Sequence, residues 1–450
     1  MTKAKFVSGS TMRHVLVMTS TASIGLATLF LVDLADIYFL SLLNEVEITS
    51  AVGFGGTLVF FTMSITIGLL VAMGALVSRS LGEKRHHRAR RYGTNIIIYG
   101  LIITSLASVI LWSYIPEIMN MLGATGQTHI YAQAYLNIVL PSLPAVGLSM
   151  SINGILRGVG DAKRSMIITL IAALTNATLD PILIFGFDMG IEGAAWATAI
   201  SRVVMMLYGL YVVLFVHKLL APFHLKLFMM QVGKISAIAI PAIITNIATP
   251  LGAAYITYSF AQFGDGAVAG LSIMIRLSHM MFAGIFALSG AIGPILGQNL
   301  GARNFERVRM VLRDSVIFLG VYVVVVSLIL YVCRFLVVDA FHAEGDAAEI
   351  IIFYCTWIAV AFFFIGGTFV ANAAFNNLGK PSYSTYTNIG RATIGTVPFA
   401  YYGAQWFGAE GVLMGQALGG VLFGIVSFVV ALSYVKKIEE NTAHGKFLRA

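Results

Sequence analysis

Residues 316–333 read Val316-Ile317-Phe318-Leu319-Gly320-Val321-Tyr322-Val323-Val324-Val325-Val326-Ser327-Leu328-Ile329-Leu330-Tyr331-Val332-Cys333, with no charge between Asp314 and Arg334. A helix crosses the ~30 Å hydrocarbon layer in about 20 predominantly apolar residues. Inside that layer only helices and closed barrels satisfy every backbone group. Period-two alternation is absent from the stretch, so a membrane-spanning helix is predicted over about 314–333. The same pattern recurs at about 14–40, 51–78, 93–114, 129–156, 165–187, 191–216, 235–262, 267–299, 349–376, 382–404 and 410–435, twelve spans in all. Composition agrees: 58% of the 450 residues are hydrophobic and 11% charged, against roughly 25% charged in soluble domains. A soluble fold is excluded. The first span is long and ends in aspartates, so it reads as a retained helix rather than a cleaved leader. Cys333 and Cys355 sit in apolar stretches and offer no disulfide framework.

Charge fixes the orientation. Of the 28 Lys and Arg, all but Arg202, Arg276, Arg334 and Arg391 fall in the N-terminus, in loops after even-numbered spans, or in the C-terminal tail. The remaining loops hold acids such as Glu45, Glu117, Asp188, Asp265 and Glu344. The positive-inside rule then places both termini in the cytoplasm of a multi-pass protein of the cell's inner membrane. The basic run from Arg85 to Arg91 lies between two spans, so it reads as an orientation signal and no nucleic-acid partner is expected.

The halves repeat at an offset of 219 residues: Gly82 with Gly301, Tyr135 with Tyr354, Asn153 with Asn372, Gly160 with Gly379. Six spans repeat as six. An even number keeps both copies running the same way through the membrane, related by a pseudo-twofold axis along its normal. The fold class is therefore all-α, twelve transmembrane helices in two six-helix lobes. The predicted organisation is an N-terminus at 1–13, an N-lobe at 14–216, a linker at 217–234, a C-lobe at 235–435 and a tail at 436–450. This is transporter architecture, although a channel would show the same repeat. No phosphate-cradling G-x-x-x-x-G-K-[ST] and no H-E-x-x-H metal pair is present, so neither an enzyme nor an ATP-driven pump is expected, and no cofactor.

Acids at hydrocarbon depth are expensive and mark function. The first span carries Asp33 and Asp36, three apart, and the fifth carries Asn176 and Asp180, four apart; each pair shares one helix face. At matching depth the second half has no carboxylate, reading Ala253 to Tyr255 and Val397-Pro398. The functional reading is an aqueous cavity in which a desolvated carboxylate loads and unloads a proton. For Asp33 the alternative is a kink cap or a pair with Arg202 or Arg276. Arg276, His279 and Arg391 are intramembrane cations that either gate the cleft or serve structure.

At these residues the chain resembles the multidrug and toxic compound extrusion transporters over essentially its whole length. Leu34-Ala35-Asp36-Ile37-Tyr38-Phe39 looks like the family's first-helix aspartate motif. Asn176 through Asp180-Pro181 to Gly186, then Gly193-Ala194-Ala195-Trp196-Ala197-Thr198, resembles its fifth and sixth helices, and Asn153-Gly154-Ile155-Leu156-Arg157-Gly158-Val159-Gly160 its fourth-helix end. The resemblance implies an antiporter exporting cationic or amphipathic small molecules against a proton or sodium gradient; a monomer is expected. Similarity to the proton-coupled, DinF-like branch implies a site of Asp36, Asp180, Asn153, Asn176 and Thr198, to which the extra acid Asp33 is added. Sodium-coupled relatives place a glutamate on the seventh helix; here that span, Ile240 to Pro250, has no acid, which favours protons as the coupling ion and leaves sodium as the alternative. A lipid-linked oligosaccharide flippase of the same superfamily is the rival reading. The chain departs from the family in having Val32 and Asp33 before the aspartate, and Thr19-Ser20-Thr21 where a first-helix proline is usual.

Overall fold

The structure, a computed structural model, describes residues 4–43 and 45–443. Of the predicted terminal segments, residues 1–3 and 444–450 lie outside the described residues. Among those described there is no strand; the chain folds into helices α1 (Thr11–Ser41), α2 (Val46–Gly82), α3 (His86–Ser113), α4 (Ile115–Leu122), α5 (Gly126–Val139), α6 (Leu143–Gly158), α7 (Ala162–Pro181), α8 (Gly190–Tyr211), α9 (Leu225–Ala261), α10 (Asp265–Met281), α11 (Ala283–Gly301), α12 (Phe305–Ala340), α13 (Asp346–Phe353), α14 (Phe362–Leu378), α15 (Pro381–Ala392) and α16 (Val397–Ala443). Their ends follow local chemistry. Asp161 and Asn304 cap α7 and α12 by accepting from the backbone N–H of Arg164 and Arg307, at 3.2 and 3.1 Å.

Eleven helical runs are long and apolar enough to cross a membrane. The last of these, Pro381–Thr442, has 62 residues and contains two passages. It reverses at Phe407 and Gly408, where Gly408 adopts φ +61°, a conformation that suits glycine alone at no steric cost. The returning stretch of α16 then lies so close that a Cβ on Gly419 would overlap the carbonyl of Gly395. The small face Gly411, Gly415 and Gly419, spaced by four, lets the two backbones touch.

The eighth span, predicted as one helix over 267–299, is broken at Phe282 into α10 and α11. The phenol of Tyr322 on α12 enters the gap, donating to the Met281 carbonyl at 2.8 Å and accepting from Gly284 N–H at 3.2 Å. A side chain from another helix thus replaces backbone bonds that a continuous helix would make. The eleventh span is likewise interrupted, between α15 and α16 at residues 393–396. By contrast α1 runs unbroken for 31 residues, as its lack of proline allows.

The chain separates into two units. One takes Ile24–Ile243; the other takes Lys5–Ser23 and the chain from Ile244 onward. The first buries Leu69, Met73, Ile96, Ile152 and Leu156 completely or nearly so, with α2, α3 and α6 as its centre. The second buries Leu288, Ile292, Ile295, Leu312 and Phe375, around α11, α12 and α14. Within the second unit the segment before α1 is tied down: Phe6 N–H donates to Gln298 Oε1 at 2.9 Å, and Arg307 donates to the carbonyls of Phe6 and Gly9 at 3.0 and 2.9 Å.

Candidate functional site

Asp36 lies in the last third of α1, and Asn176 and Asp180 lie one turn apart near the end of α7. Pro181 follows directly. It has no N–H to continue the helical ladder, and residues 182–186 widen into a π-turn, a distortion frequent at functional positions. The sequence therefore ends the regular helix at the residue that carries the carboxylate.

All three side chains meet inside the first unit. Asn176 Nδ2 donates to Asp36 Oδ1 and Oδ2 at 2.9 and 3.1 Å and to Asp180 Oδ2 at 2.9 Å. An amide has two N–H groups, so one goes to Asp180 and the other is shared between the oxygens of Asp36. Asp180 is 0% exposed and Asn176 6%. The remaining oxygen of Asp180, Oδ1, is buried without a hydrogen-bond partner. Two carboxyls at one buried amide compete for charge, and a single proton relieves their mutual repulsion. The arrangement can hold a proton, or a cation in its place.

The other predicted residues distribute around this centre. Asn153, on α6, is 2% exposed, and its Oδ1 has no partner. Thr198, half-buried on α8, gives its carbonyl to Ser201 Oγ at 2.8 Å, while its hydroxyl faces the phenol of Tyr135. Among the described residues Asp33 makes no hydrogen bond or ion pair, and it stays exposed on its unit. It does not pair with Arg202, whose guanidinium is buried against Val139 O and Ser142 Oγ at 3.1 and 2.9 Å. Tyr135 lies within electrostatic range of Arg202, Asp36 and Asp33. In the sequence Tyr135 stands out only as half of the repeat. Its sole signal was that pairing with Tyr354, which is itself buried and bonded to Ser278 at 2.6 Å.

Among the described residues of the second unit no acid stands in the matching stretches, Ala253 to Tyr255 and Val397-Pro398. The interrupted eleventh passage instead carries Arg391, whose Nε is buried with no hydrogen-bond partner. Near it in sequence, Ser384 donates to Asn376 Oδ1 at 3.1 Å, and Thr245 Oγ1 lies 3.1 Å from Thr385 Oγ1. His279 stacks on Phe286 at 5.5 Å between ring centroids. Among the described residues no group of three or more His, Cys, Asp or Glu is placed to hold a metal ion.

Comparison with known proteins supplies the context. A family model described as MatE matches residues 22–182 and 241–402. The chain is 26% identical over 437 residues to a protein of Shewanella oneidensis described as a FAD transporter, covering 96% of each. It is also 26% identical over 426 residues to the multidrug export protein MepA of Staphylococcus aureus, covering 93% of each. Among solved structures, a mutant of the Vibrio cholerae MATE transporter VcmN superposes with a TM-score of 0.90 at 22% identity, over 95% of this chain and 97% of that one. A MOP superfamily transporter from Pyrococcus furiosus superposes with a TM-score of 0.91 at 22% identity, over 97% of this chain and 98% of the other.

Proposed function

This chain belongs to the MatE family, whose members are transporters and not enzymes, and we propose that it is a secondary active exporter of cationic or amphipathic small molecules in exchange for protons. The observation that carries the reading is the joining of Asp36 and Asp180 through one amide, at 2.9 Å on each side. The ionised pair attracts a cationic substrate. A proton arriving from the outer side neutralises one carboxyl, removes that attraction, and weakens the charge-assisted bonds that tie α1 to α7, each worth about 1.5–3 kcal/mol when formed to a charged group. Substrate is released. Loss of the proton on the cytoplasmic side restores both. By linkage the substrate disfavours the proton as much as the proton disfavours the substrate.

Asn176 holds the two acids in register and stays neutral throughout. Asn153 and Thr198 supply polar atoms to substrate or to water. Asp33, exposed and unbonded, adds negative charge to the approach. The charge asymmetry of the loops supports cytoplasmic termini and an inner-membrane location. A monomer suffices for this chemistry, since every named group lies on one chain.

Reconstituted liposomes with an imposed proton gradient, loaded with a panel of cationic dyes, test the proposal. Export that follows the proton gradient and ignores a sodium gradient supports it; dependence on sodium alone overturns the coupling ion.

A second reading is favoured by Arg391. A buried guanidinium nitrogen with no partner fits an anionic substrate better than a cationic one, and a relative of this chain is described as a FAD transporter. On this reading the second unit holds a phosphate or carboxylate through Arg391. Proton-driven export of flavin dinucleotide, lost on Arg391→Gln while cationic dyes still move, separates the two.

A further inference from the structure

Residues 217–224, His217-Lys218-Leu219-Leu220-Ala221-Pro222-Phe223-His224, lead into α9. The segment is pinned onto α3. Arg90 donates through Nε and Nη2 to the Leu220 carbonyl at 3.0 and 2.6 Å. The Thr94 hydroxyl donates to Ala221 O and accepts from Ala221 N–H, both at 2.8 Å. Gly93 approaches so closely that an added Cβ would lie 2.9 Å from the Leu219 carbonyl.

This pinning leaves a preformed cavity of about 140 Å³ lined by His87, Arg90, Arg91, Ala221, Pro222 and His224. Two guanidinium and two imidazole groups line it, and no carboxylate does. The acids at this end of the unit are already engaged: Glu83 with Arg79, Arg85 and Arg88 at 3.4, 3.3 and 3.4 Å, and Asp161 with Arg164 and His217 at 2.6 and 2.7 Å. Among the described residues, then, no carboxylate compensates the positive charge of Arg90 and Arg91 in the cavity.

Apolar surface adjoins it. Phe223, Leu225, Met229 and Met230 are 45%, 65%, 66% and 67% exposed, and Leu225 and Met229 share one face of α9. Exposed apolar side chains beside a basic cavity at a membrane boundary match the two halves of a phospholipid.

We propose that this cavity binds the phosphate of an anionic phospholipid headgroup, with Arg90, Arg91, His87 and His224 around the phosphodiester and Phe223, Leu225 and Met229 against the acyl chains. Arginine is suited to this by its planar fork of donors, which matches phosphate oxygens. The site is independent of the transported substrate.

Native mass spectrometry of the full-length protein tests it, with titrations of phosphatidylglycerol, phosphatidylcholine and, separately, inorganic phosphate. Arg91 is exposed and takes no part in pinning the segment, so Arg91→Gln leaves the fold intact, to be verified by an unchanged melting temperature. Lys437→Gln, which removes an exposed charge from α16, is the control. The expected result is selective retention of phosphatidylglycerol, weakened about fivefold by Arg91→Gln and unchanged by Lys437→Gln. Equal loss in both variants would reduce the effect to diffuse charge and overturn the site. Displacement of the lipid by inorganic phosphate at the same concentration would overturn the lipid as its source.

Discussion

Asp36 and Asp180 stand 2.9 Å from the same nitrogen, although they belong to different helices and are separated by most of the first unit's sequence. The shared donor makes the charge state of each carboxyl a matter for the other. It also makes the contact between α1 and α7 sensitive to a single proton.

Asp36→Asn is expected to abolish proton-driven export while leaving the fold in place. The amide replaces the carboxyl at nearly the same volume but cannot ionise. Efflux should fall to the level of empty liposomes with the melting temperature little changed. Normal gradient-driven export by this variant would remove Asp36 from the mechanism.

Asn176→Ala removes the amide nitrogen that donates to both acids. With the carboxyls left buried and short of a donor, stability should fall by about 2–4 kcal/mol at neutral pH. The loss should shrink in Asn176→Ala combined with Asp180→Asn, because one buried charge is then absent. A double-mutant cycle on thermal melting measures the coupling; strict additivity would show that the shared amide carries no energy.

Arg391→Met is expected to stabilise the protein modestly, since a partly buried guanidinium with an unpaired nitrogen gives way to apolar packing of similar length. A higher melting temperature is the readout. A drop would mean that Arg391 holds the second unit together and does not wait for a ligand.

Gly419→Leu should prevent closure of the last hairpin, because its side chain would occupy the space of the Gly395 carbonyl; overpacking of this kind costs about 1–3 kcal/mol or more. Gly233→Leu on α9 should be tolerated, since nothing lies within 4 Å of an added Cβ there. The comparison is made on the folded yield by size-exclusion chromatography.

Asp161 gives a pH signature outside the spans. Burial works against its charge, but the side-chain and backbone bonds from Arg164 and the contact with His217 prevail and hold it below the ordinary carboxylate range. A depressed folded value means that the group's stabilisation is fully present above its unfolded value, about 3.9, and is lost as the pH falls through the lower folded value. Thermal melting should therefore show no contribution from Asp161 to pH dependence between neutrality and about pH 5, and a decline below about pH 4 that Asp161→Asn abolishes. Asparagine caps a helix as well as aspartate does, so that variant keeps the α7 cap, whereas Asp161→Ala should lose about 1 kcal/mol as a missing cap.

Much was legible from one dimension. The long uncharged run at 316–333 fell within α12, and Asn176 and Asp180 fell on one face of α7, because hydropathy and a four-residue spacing are local properties of the chain. Other features were not. Nothing in Met281-Phe282-Ala283 announces a break; the phenol of Tyr322 arrives from another helix to sustain it. Asp33 and Asp36 stand on neighbouring positions of one helix face, yet among the described residues only Asp36 reaches the amide of Asn176.

The amino-acid order by itself determined that this is a helical membrane protein of two repeated halves whose intramembrane acids Asp33, Asp36 and Asp180 lie in the first, since solvent preference and charge placement are written residue by residue. Which of those acids meet was decided only by tertiary structure. Asp36 and Asn176 are 140 residues apart, and whether two such groups share a hydrogen bond depends on how α1 and α7 pack side by side, a property of neither helix alone.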